Sequence, residues 1–216
     1  MKSAILLITA LAGPPLVLAE PLELDYASLY CHTRQLDDEQ LDALQFAFGF
    51  KHHQKGHLCG IESAYIHTPK QDIPVRINNE QRFVVPSEKA LKLAKAVVRF
   101  ELAEPVNQCD MSVQLETKPQ YLKSRYDLEE LREIFIQYQT FFDDMGGFLS
   151  FMMPSVQGLK LQFGTEVTEQ PSMYGLQPPA LQNHQLNLNE AFLQGQGSID
   201  LPAAPLRITA ITQQDG

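Results

Sequence analysis

The stretch Leu44-Gln45-Phe46-Ala47-Phe48-Gly49-Phe50 decides how this chain is read, together with its later counterpart Cys109-Asp110-Met111-Ser112-Val113-Gln114-Leu115. In both, a large apolar residue returns at every second place, between smaller or more polar ones. That is the period of a β-strand with one face turned to a core. A helix would bring its apolar residues round every third or fourth place.

Between the two lie further strand-like pieces at 58–67, 73–78, 82–85 and 96–102, and Leu22 to Tyr30 reads as the first strand. Asn78-Asn79 stands between Ile77 and Arg82-Phe83-Val84-Val85 and reads as a hairpin turn. Six or seven short strands with turn signals between them predict an antiparallel β-sandwich-like region or an open barrel. Ser87 to Ala96 reads as one short helix capped by Ser87, with Lys89, Lys92 and Lys95 on its solvated face.

Further along, the period changes. Leu131, Ile134, Phe135, Tyr138, Phe141, Phe142 and Met145 recur at helical spacing over 127–145. Asp127 with Glu130 three residues on makes a capping-box pattern, and Gly146-Gly147 supplies a stop. The apolar run Phe148-Leu149-Ser150-Phe151-Met152-Met153 follows and ends at Pro154. The expectation is an apolar helix or helical hairpin over 127–153 that closes the sheets, so the fold class is mainly β with helices, α+β. Gly158 to Phe163 reads as one more strand. From 165 onward Arg207 is the lone basic residue among five prolines and eight glutamines, a composition that buries little apolar surface. Ser198-Ile199-Asp200-Leu201 and Leu206-Arg207-Ile208-Thr209 nevertheless look like strand pieces. The predicted plan is residues 1–19 as a signal peptide, 20–163 as a β-rich body containing the 127–153 helical segment, and 164–216 as a Pro/Gln-rich extension ordered near 198–211.

The first 19 residues have the parts of a secretory signal: Lys2, an apolar stretch from Ala4 to Leu18, and small residues Val17 and Ala19 before a cut at Glu20. The apolar run is roughly 15 residues, below the ~20 that span a bilayer, and Pro14-Pro15 would break a helix there. Glu20, not a cysteine, follows the cut, so a lipoprotein route is not indicated. Lys+Arg number 17 against 26 Asp+Glu, a formal net charge of −9. Such a chain is repelled by nucleic acid and by anionic lipid, so the expected partner is another envelope protein or a small ligand, with no nucleic acid and no transmembrane span.

Export places the three cysteines, Cys31, Cys59 and Cys109, in an oxidising compartment. Cys59 and Cys109 fall on separate strands, on apolar faces, and are natural disulfide partners; closing a loop of about 50 residues is worth roughly 3–4 kcal/mol on the chain-entropy model. Cys31–Cys59 and Cys31–Cys109 stand as the alternatives. No Cys-x-x-Cys pair supports a redox role.

His52, His53 and His57 are the candidate metal ligands, for zinc or copper. His53 and His57 have a four-residue spacing that serves when both lie on one helical face. Here the segment joins two predicted strands and Gly56 marks a turn, so the plain expectation is a polar hairpin loop without a cofactor. Phe148, Phe151 and Met152 form a candidate partner surface, weighed against packing into the core. Asp143 and Asp144 point about 100° apart on a helix and do not converge as a carboxylate pair. The chain carries no Gly-x-Ser-x-Gly elbow, phosphate loop, dinucleotide fingerprint or His-Glu-x-x-His pattern, so no catalytic residue is assigned; a hydrolase site built from distant residues remains a competing expectation.

Four stretches carry a likeness: Cys59-Gly60-Ile61-Glu62-Ser63-Ala64-Tyr65-Ile66-His67-Thr68, Cys109-Asp110-Met111, Asp144 through Pro154 with its Gly-Gly-Phe-Leu-Ser-Phe run, and Leu201 through Thr209. They resemble an exported gammaproteobacterial family known as domain of unknown function 2987. The resemblance implies a periplasmic location and a single-unit architecture, and it implies no activity. The expected role is that of a non-catalytic periplasmic accessory or binding protein, with a metal-binding protein using the histidine loop as the alternative.

Overall fold

The computed structural model describes residues 21–146, 155–175 and 177–213. In chain order its elements are β1 (Leu22–Asp25), α1 (Tyr26–Thr33), β2 (Leu44–His52), β3 (Ile61–His67), β4 (Asp72–Pro74), α2 (Lys89–Leu93), β5 (Val97–Leu102), β6 (Cys109–Thr117), β7 (Arg125–Asp127), α3 (Leu128–Gly146), β8 (Val156–Gln162), β9 (Ser172–Met173), β10 (Gln185–Asn189), α4 (Glu190–Leu193), β11 (Ser198–Asp200) and β12 (Arg207–Thr212). The strands form sheets ordered β1-β5-β3-β4, β2-β6, β7-β11-β9 and β10-β8-β12, with every pairing antiparallel. The protein is mainly β with helices, an α+β fold.

The two alternating stretches pair with each other, from Leu44 opposite Thr117 to His52 opposite Cys109. Phe46, Phe48 and Phe50 are buried on one face, as period two requires. Phe83 pairs with Phe48 through two backbone hydrogen bonds of 2.8 Å. Its ring also lies 4.7 Å from that of Phe100, while Phe50 meets Phe100 edge to face at 5.0 Å. Burying side chains of this size contributes about 1.5–3 kcal/mol each, so this aromatic cluster anchors β2 to β5.

The predicted first strand is half helix. It ends at Asp25, and Tyr26–Thr33 turns into α1 because Tyr26, Leu29 and Thr33, at spacings of three and four, are the residues that reach the core. Tyr26 Oη donates to the Pro86 carbonyl and accepts from Glu88 N, which ties α1 to the start of α2. Ser87 does not cap that helix: its hydroxyl donates to Asp37, and Glu88 is the N-cap residue. The turn at Asn78 is wider than a two-residue hairpin. Asn78 Oδ1 accepts from Glu80 N and Arg82 N, and the positive φ falls on Gln81.

Helix α3 packs along most of its predicted stripe, although Met145 near its end stands half exposed. Leu131, Ile134, Phe135, Tyr138 and Phe141 are buried, and Phe141 meets Phe46 edge to face at 5.7 Å. Glu130 reaches back to accept from Asp127 N at 3.1 Å, one half of the capping box. The Asp127 carboxylate instead accepts from Ser198 Oγ and joins α3 to β11. Tyr138 Oη, fully buried, donates to the Ile208 carbonyl at 2.7 Å and faces Thr117 Oγ1 at 3.3 Å, linking α3, β12 and β6.

In 164–216, β12 and β11 lie where strand pieces are predicted, in different sheets. Strand order also begins earlier: Ser172–Met173 of β9 pairs with β11, and Leu186 and Leu188 of β10 are fully buried against β8. Their alternation with Gln185, Asn187 and Asn189 is a strand signal that the surrounding prolines and glutamines hide.

Candidate functional site

The face of the β2–β6 pair opposite the phenylalanines floors a cleft of about 620 Å³, within the range of sites that hold small molecules. One wall is the extended run 73–78, in which Ile73, Val75 and Ile77 turn inward and pack on the core. The other sides come from Val84, Leu122 and Leu206.

Three charged side chains line this mostly apolar setting: exposed Arg76, half-buried Arg82 and buried Glu116. Glu116 is only 6% exposed. Its Oε1 accepts from Gln45 Nε2 at 3.0 Å, across the strand pair where Gln45 and Glu116 are register partners. Its Oε2 is buried and has no hydrogen-bond partner, and the same is true of Nη1 of half-buried Arg82. Burial pushes the Glu116 carboxyl above the usual carboxylate range, against the smaller opposing effects of the Gln45 hydrogen bond and the Arg82 charge. Burial likewise lowers the Arg82 guanidinium, opposed by Glu116. Buried polar atoms are ordinarily paired, and a cleft with converging polar groups and perturbed ionisation is the usual form of a binding site. The cleft thus holds one unpaired donor, on Arg82, and one unpaired acceptor, on Glu116, beneath largely apolar walls.

The positions singled out in the sequence lie elsewhere. Cys59 and Cys109 form a disulfide with Cα atoms 6.4 Å apart, and Cys31 is free and exposed on α1. His52 ends β2, and His53 and His57 sit in the turn that follows, where Gly56 adopts φ +75° and the backbone closes through Gly56 N to His52 O and His52 N to His57 O, each 2.9 Å. The His52 ring is 5.6 Å from that of His53 and 5.4 Å from that of His57. His52 is buried, however, and its Nδ1 accepts from Gln54 N and Lys55 N at 3.3 Å, which leaves Nε2–H to donate to Gln108 Oε1 at 3.1 Å. His57 faces Glu104 at 3.4 Å, and that carboxylate also accepts from Gly60 N at 2.8 Å. Among the described residues no three His, Cys, Asp or Glu side chains form a group that could hold a metal ion. Phe148, Phe151 and Met152 lie outside the described residues.

Gln45, Arg82 and Glu116 were not among the sequence candidates. In sequence, Gln45 and Glu116 look like ordinary outward positions of half-buried strands, and only the register of β2 on β6 sets them opposite each other. The bridge of Phe83 to Phe48 then brings Arg82 alongside.

Fold and cleft together define a disulfide-linked α+β protein with a ligand-sized cavity. Among the described residues no helix is long and apolar enough to cross a membrane. Residues 18–163 match the family model described as protein of unknown function (DUF2987), and the chain belongs to that family. No curated protein and no solved structure matches it.

Proposed function

We propose that this is an exported, periplasmic, non-catalytic binding protein that holds a small amphipathic ligand in the cleft above Arg82 and Glu116. One observation carries the reading: buried Glu116 and half-buried Arg82, oppositely charged and each with a buried, unpaired polar atom, line the floor of a mostly apolar cleft. An unmade hydrogen bond of a buried charged group costs several kcal/mol, and a ligand that completes both removes that cost. Export is supported by the signal-like residues 1–19 and by a disulfide between Cys59 and Cys109, a bond that persists in oxidising compartments. The net charge of −9 supports a partner other than nucleic acid.

Cell fractionation and native mass spectrometry test this directly. The mature protein is expected in the periplasmic fraction with Glu20 at its N-terminus, carrying a small-molecule adduct. Leu206 is a partly exposed residue of the cleft rim, so Leu206→Trp should fold normally and lose the adduct. Retention of the full leader in the cytoplasm would refute export, and an adduct indifferent to Leu206→Trp would refute the cleft.

A further inference from the structure

The two unpaired atoms also specify what kind of head group the cleft takes. Nη1 of Arg82 is a donor and needs an acceptor; Oε2 of Glu116 is an acceptor and needs a donor. Exposed Arg76 also lines the cleft, but at the floor one positive group, Arg82, and one negative group, Glu116, act together, so a head of a single charge meets one attraction and one repulsion there. In a desolvated site both are large, since Coulomb energies grow as the effective dielectric falls. A head that is neutral overall, with acceptor and donor next to each other, satisfies both atoms and incurs neither repulsion. The walls at Ile73, Val75, Ile77 and Leu122 then cover an apolar body.

We infer that the cleft selects amphiphiles whose head is net-neutral and carries a donor beside an acceptor, a zwitterion or a primary amide on an apolar tail, over simple anions such as fatty acids and over simple amines. This rests on the reading of the cleft as a binding site and adds the ligand class to it. The carboxylate or carbonyl oxygen meets Arg82, and the ammonium or amide N–H meets Glu116. Gln45 holds the other Glu116 oxygen and fixes the direction in which Oε2 presents its lone pairs.

Four probes with one tail separate the possibilities: 2-aminodecanoic acid, decanamide, decanoate and decylamine, titrated calorimetrically into the full mature chain. The first two are expected to bind about tenfold or more tightly than the last two, a difference of one or two well-placed charge-assisted contacts. Glu116→Gln leaves a positive floor and should bring decanoate ahead of decylamine by a similar factor; Arg82→Gln leaves a negative floor and should reverse that order. The wild-type ranking is decisive by itself if either variant fails to fold. Decanoate or decylamine binding as tightly as the neutral heads, with Leu206→Trp abolishing binding, would overturn the ligand class and leave the cleft reading standing. No binding of any probe, or binding untouched by Leu206→Trp, would overturn both.

Discussion

Glu116 and Arg82 face the same cleft with opposite charges, yet Oε2 of the one and Nη1 of the other are both buried without a hydrogen-bond partner. The polypeptide that surrounds them holds the carboxylate by a single contact, from Gln45. That arrangement has a signature in the pH dependence of folding.

Burial raises the Glu116 carboxyl above its ordinary value of 4.5. The folded state therefore binds this proton more readily than the unfolded chain does. The residue's contribution to stability is fully present below the unfolded pKa and is lost as pH rises through the folded one. Glu116→Gln removes that dependence. The stability of the variant relative to wild type, from urea melts at pH values between about 4 and 7, should shift steadily in the variant's favour as pH rises. A flat difference would show that Glu116 titrates normally.

Cys59 and Cys109, 50 residues apart, are linked while Cys31 stays free and exposed. Native protein treated with iodoacetamide should take up one label per chain, on Cys31. Replacing Cys59 and Cys109 together by alanine should lower stability by roughly 3–4 kcal/mol. Labelling at Cys59 or Cys109 in the unreduced protein would contradict the pairing.

Arg132 donates to Leu193 O at 3.0 Å and to Gly195 O at 2.7 Å, so a side chain of α3 closes the C-terminal end of α4. Arg132→Ala should cost about 2 kcal/mol, as charge-assisted hydrogen bonds of half-buried groups do. Lysine, with one ammonium in place of a planar fork, should recover only part of it. Thermal denaturation of the two variants measures both.

Gly158 pairs with Asn189 on one side and Ile211 on the other. A Cβ there would overlap the Leu188 carbonyl oxygen and come within 2.9 Å of Asn189 Cα. Gly158→Ala should therefore destabilise by about 1–3 kcal/mol or more, the range for overpacking, and hydrogen exchange should show the loss concentrated in β10. Unchanged protection of Leu186 and Leu188 would count against the close approach.

The parts legible in the sequence are those where one element declares its own period. Phe46, Phe48 and Phe50 alternate cleanly, and Leu131, Ile134, Phe135 and Tyr138 keep helical spacing, so β2 and α3 are read correctly. Helix α1 was hidden because Leu22 and Leu24 alternate just before it, and one helical turn of Tyr26 and Leu29 is too short to break that pattern. The cleft was not legible at all. Gln45, Arg82 and Glu116 come from places far apart in the chain and meet only through long-range register, which no local window of sequence encodes.

Strand β8 carries β10 on one edge and β12 on the other, while the stretch shared with the family stops at residue 163, just past its end. A fragment cut there would keep Leu159 and Leu161, now fully buried, on a ribbon bare along both sides, the template from which chains stick together. The last quarter of the molecule thus supplies the strands that cover both edges of β8, however plain its composition.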